Sequence, residues 1–139
     1  MKNIVEKKLS LNDVGATGAH QAGILIPKKG ALLDFFPFLD SKANNPRTTI
    51  SFEDEYGKVW CFSFIYYNNK LRGGTRNEYR LTGMTAYLKQ VNAKENDVLI
   101  FEKIDDDYYI KIKTDDDKYL DDENIVSLVL DDKWKVIKF

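Results

Sequence analysis

Trp60-Cys61-Phe62-Ser63-Phe64-Ile65-Tyr66-Tyr67 is the stretch that sets the fold class of this 139-residue chain. Trp60, Phe62, Phe64 and Tyr66 recur at every second position, the period of a pleated strand whose side chains point alternately to opposite faces. Upstream, residues 48–52 form a shorter strand, and the turn residues 53–57 join the two into a hairpin. Working outward, further strands are expected at residues 8–11, 22–27, 97–101, 108–113, 125–130 and 134–137. Residues 31–36 read as one short helix closed by Pro37, and Met84, Tyr87, Leu88 and Val91 form the apolar side of a second that ends near Asn92. Many short strands with only two short helices indicate a mainly β chain, curled into a closed or nearly closed barrel. Residues 1–139 are expected to form a single domain, since no linker or repeat interrupts them.

Composition narrows the function classes. Hydrophobic residues make up 43% of the chain and aromatics 13%, enough to fill an interior and too much for a disordered tail. The lone Cys61 cannot form an internal disulfide, and its alternating context suggests a buried structural thiol. The single His20 and the distant Cys61 do not make a zinc set, so no metal and no cofactor is expected. The N-terminus lacks an apolar signal and nothing later matches a membrane span, so no membrane association and a cytoplasmic setting are expected. Net charge is -1, but it is unevenly spread: residues 97–139 carry -6 and the first 96 carry +5.

The positive half holds two informative segments. In Leu9-Ser10-Leu11-Asn12-Asp13-Val14-Gly15-Ala16-Thr17-Gly18-Ala19-His20-Gln21-Ala22-Gly23, small residues permit close backbone approach. Thr17, His20 and Gln21 add donors and acceptors suited to phosphates or base edges. The glycines lack a Walker lysine and a following βαβ unit, which argues against a mononucleotide loop. In the second segment, Lys70 and Arg72 precede Arg76-Asn77-Glu78-Tyr79-Arg80. Arginine can pair with guanine, asparagine with adenine, and a carboxylate can accept from the cytosine amino group.

Together the segments resemble the N-terminal recognition domain of EcoRII-type restriction endonucleases. The first matches over residues 9–23, the second over residues 65–68 and 73–80. Leu81-Thr82-Gly83-Met84, the Tyr87-Leu88 helix and Asn96-Asp97-Val98-Leu99-Ile100-Phe101 are similar to the closing signature of the plant B3 domain. This resemblance implies a seven-stranded open β-barrel, the DNA-binding pseudobarrel, whose two arms grip the major groove of double-stranded DNA. It implies an N-terminal arm with Lys7 and His20, and a reading arm with Arg76, Asn77, Glu78 and Arg80. Three positions depart from the family pattern: Gly74 and Tyr79 replace basic residues, and Leu25 replaces a tyrosine. A short CCWGG-like target follows from the resemblance, with the nuclease in another domain or subunit; two arms on one barrel and the lack of a heptad or long amphipathic helix lead to the expectation of a monomer.

Two other classes compete. Asp105-Asp106-Asp107, Asp115-Asp116-Asp117 and Asp131-Asp132 could supply a metal-dependent nuclease, but they fall between expected strands, where solvated turns are the simpler reading. A barrel whose arms bind another protein is the third class.

Overall fold

The computed structural model describes residues 2–15, 23–114, 126–129 and 134–138. Its strands are β1 (Lys2–Lys8), β2 (Ile24–Ile26), β3 (Arg47–Glu53), β4 (Val59–Tyr67), β5 (Glu78–Thr82), β6 (Val98–Ile104), β7 (Asp107–Lys113), β8 (Val126–Val129) and β9 (Trp134–Lys138). The helices are α1 (Gly30–Leu33) and α2 (Thr85–Gln90), with a 3-10 turn over Asn69–Arg72. No helix among the described residues is long and apolar enough to cross a membrane.

One strongly curled open sheet runs in the order β2-β5-β4-β3-β7-β6-β1-β9-β8. The expected mainly β open barrel with two short helices is therefore present as a strongly curled half-barrel, with nine strands among the described residues where the family pattern implied seven. Among the described residues every pairing is antiparallel except β3 with β7, which match in parallel at Phe52↔Tyr108 and Glu53↔Tyr109. That short parallel junction joins two antiparallel halves, and the inner aromatics bury across it. Phe52 touches Phe62, Phe101 and Tyr108 with ring centroids 5.4–5.6 Å apart, and Phe36 stacks on Phe64 at 4.8 Å. These tilted and offset contacts suit the ring quadrupole and fill the core at close packing. The short α2 buries Tyr87 and Leu88 in the core, and Tyr87 meets the Trp60 ring edge-on at 5.3 Å.

Three local expectations change. The first strand is Lys2–Lys8 and not residues 8–11, because Ser10 and Asp13 close a turn on each other. The Ser10 amide donates to Asp13 Oδ2 at 2.9 Å and the Asp13 amide to Ser10 Oγ at 3.1 Å. Residues 78–82, where no strand is expected from the sequence, form β5 between β2 and β4. Cys61 is exposed instead of buried, because it lies on the outer face of the β3–β4 hairpin, where its Sγ meets Ser51 Oγ at 3.5 Å.

Candidate nucleic-acid interface

The second segment leaves the sheet at the end of β4 and returns as β5. Asn68, fully buried, fixes the departure: its side-chain amide donates to the carbonyls of Ser41 and Ala43, and its Oδ1 accepts from the Asn45 amide. Asn69 fixes the return. Its Oδ1 accepts from the Arg76 amide at 2.7 Å, and its carbonyl accepts from the Gly74 amide at 2.7 Å. A Cβ on Gly74 would lie 2.6 Å from Asn69 Cγ, which accounts for glycine where the family pattern has a basic residue. The arm is thus a built loop closed by its own asparagines.

At the arm's end three charged side chains meet. Glu78 Oε1 accepts from Arg76 Nη2 at 2.7 Å and Nε at 3.1 Å, and from Arg80 Nε at 3.2 Å, while Oε2 accepts from Arg80 Nη2 at 3.3 Å. Residues 78 and 80 stand two apart on β5, so the strand period brings them to one face. Burial pulls the Glu78 carboxyl up, but the hydrogen bonds and charges of Arg80 and Arg76 outweigh it and hold the group below its ordinary range. Arg76 sits over the Tyr67 ring, its guanidinium carbon 3.7 Å from the centroid. Arg80 reaches the other segment: its Nη1 donates to the Gly23 carbonyl at 3.0 Å. Gly23 has φ +90, and a Cβ there would lie 2.6 Å from the Leu81 carbonyl oxygen, so this entry to β2 admits no side chain. The two segments, far apart in sequence, are joined at one corner of the sheet.

Of the residues singled out in the sequence, Arg76, Glu78 and Arg80 form this cluster. Asn77 instead accepts from the Tyr66 hydroxyl at 2.6 Å. Tyr79 stacks on Tyr66 at 4.2 Å and on Phe64 at 5.6 Å, packed against the core, and burial followed by Tyr66 raises its phenol above the ordinary range. Leu25, 44% exposed, pairs across β2–β5 with Arg80. Lys70 is exposed on the 3-10 turn that also holds Arg72. Thr17, His20 and Gln21 lie outside the described residues. Lys7 requires a correction: it is buried, and its Nζ pairs with Asp13 Oδ2 at 2.9 Å, so its charge is spent at the root of the first segment. Sequence reasoning missed Tyr67, Asn68, Asn69 and Asp13. Tyr67 was visible as the outward residue ending the β4 alternation; the asparagines carried no signal beyond their turn preference.

The family model for the N-terminal part of restriction endonuclease EcoRII matches residues 2–101. The chain belongs to this EcoRII N-terminal family. It is 37% identical over 84 residues to the type II restriction enzyme EcoRII of Escherichia coli, covering 55% of this chain and 19% of the enzyme. It is 30% identical over 129 residues to the AP2/ERF and B3 domain-containing transcription factor RAV1 of Arabidopsis thaliana, covering 90% of this chain and 34% of that protein. The chain thus spans about a fifth to a third of these curated relatives. Among solved structures, the Arabidopsis FUS3-DNA complex superposes with TM-score 0.59 at 21% identity, covering 78% of this chain and 94% of the other, a likeness of fold.

Proposed function

We propose that this EcoRII N-terminal domain binds double-stranded DNA in the major groove and reads a short sequence with its two arms. The observation that carries this is the Arg76–Glu78–Arg80 cluster, fixed to the root of the other segment through the Gly23 carbonyl. Guanidinium forks suit guanine N7 and O6, and the carboxylate suits a cytosine or adenine amino group. Family membership and the fold shared with a B3 domain solved on DNA support the same reading. Within this proposal Lys70 and Arg72 meet phosphates, Thr17, His20 and Gln21 belong to the second arm, and Asn77 and Tyr79 position the reader. The chain acts as a monomeric, non-catalytic recognition domain in the cytoplasm, and a nuclease domain or subunit supplies cleavage. A CCWGG-like site is the first target to try. Selection from a random duplex pool, followed by gel shift, tests the reading: recovery of one short motif supports it, and equal binding to all sequences overturns it.

A further inference from the structure

We propose that Glu78 is a specificity filter: by holding the guanidinium groups of Arg76 and Arg80, it disfavours plain phosphate contacts and admits partners that return a hydrogen-bond donor to its carboxylate. This rests on the cluster being a DNA contact. Two arginines side by side would by themselves make a strong phosphate fork. Here four hydrogen bonds from those arginines end on one carboxylate, whose side chain is 28% exposed. A phosphate offers acceptors only. To grip one with the Nε–Nη2 forks they present to Glu78, the arginines must turn from it, leaving a half-buried carboxylate without those donors and next to a like charge. A base-pair edge in the major groove carries acceptors and an amino donor together, so both arginines and the glutamate find partners in one exchange. Such a penalty against the wrong partner yields discrimination without any new attraction to the right one. The Tyr67 ring beneath Arg76 and the Gly23 carbonyl on Arg80 hold both guanidiniums beside the carboxylate.

The test titrates the full chain with a duplex selected by the wild type and with an unrelated duplex, across a salt series. Glu78→Gln is expected to bind the unrelated duplex about tenfold tighter, with a salt slope steeper by about 0.9 for each additional phosphate neutralised. Its ratio of selected to unrelated affinity falls accordingly. Glu78→Asp keeps the charge, so its binding to the unrelated duplex stays at the wild-type level. Glu78→Ala carries the same expectation as the glutamine variant and replaces it if that variant does not fold. A carboxylate that merely reads one base, or merely braces the loop, would lower affinity for the selected duplex and leave the unrelated one unchanged or weaker; that result overturns the filter. If the wild type binds no duplex at all, the DNA reading itself fails and the filter fails with it.

Discussion

At the scale of single residues, the two arginines of the cluster differ in what they leave open. Both are held by Glu78, but Arg80 also donates to the Gly23 carbonyl, whereas Arg76 rests on an aromatic face with its side chain 39% exposed. Arg76→Lys keeps the charge but loses the planar fork, so discrimination at one base-pair position should fall by about 1–3 kcal/mol while salt-dependent binding persists. Competition with single-base variants of the selected duplex measures this; an unaltered preference would count against Arg76 as a reader. In the core, the Tyr87 hydroxyl is buried without a hydrogen-bond partner among the described residues, and burial pushes its phenol well up. An unmet buried hydroxyl costs about 1–3 kcal/mol, so Tyr87→Phe should leave stability equal or raise it. Urea denaturation checks the sign, and a clear loss would reveal a partner for that hydroxyl.

Elements explain what the chain's order of residues did and did not disclose. The β3–β4 hairpin was legible because β4 alternates in large aromatics and its turn is rich in polar residues. β5 was not, because Glu78, Tyr79 and Arg80 look like loop residues until Leu25 and Ile65 are found beside Arg80 in neighbouring strands. The charged residues of the site could therefore be named from the sequence, but not their mutual pairing, which depends on β5 being a strand. Lys7 shows the reverse error: a lysine next to a polar segment reads as surface, and only the turn that folds Asp13 back onto it reveals the buried pair. The strand entry at Gly23 yields a firm expectation. Gly23→Ala would place a side chain at positive φ and against the Leu81 carbonyl, costing at least about 1–3 kcal/mol and loosening the Arg80 contact. A lowered melting temperature with weaker duplex binding is the expected result, and an unchanged melt would contradict it. The hairpin turn adds a pH dependence. The Trp60 indole N–H donates to Asp54 Oδ2 at 3.0 Å, and this bond, with the Lys58 and Tyr56 amides, outweighs burial and lowers the Asp54 carboxyl. Because the folded value is depressed, the stabilisation is present above the ordinary 3.8 and is lost as pH falls through the lower folded value. The stability gap between wild type and Asp54→Asn should narrow over that acid range, as followed by thermal melts at stepped pH; a gap that widens there would reverse the sign.

For the whole molecule, the sheet order separates two characters. β2 and β5, which carry the joined segments, stand at one end of the sheet, and the acid-tipped β6–β7 hairpin lies beyond β4 and β3. Along the sequence the net charge is +5 in the first 96 residues and -6 in the remainder, where most of the acidic residues lie outside the described residues. On the proposed reading one chain supplies both arms, so a second copy is not required and a single chain has no two-fold axis to match a palindromic target. One chain per duplex is therefore the expected stoichiometry, with the halves of a palindrome contacted by different residues. Sedimentation with a selected duplex measures the ratio directly, and base-by-base substitution in each half-site measures the asymmetry. Asp106→Asn, at the tip of the acidic hairpin, should leave the ratio and the selected sequence unaltered. A complex of two chains on one short duplex, with equal effects in both half-sites, would show that the corner formed by β2 and β5 is only half of the reading surface.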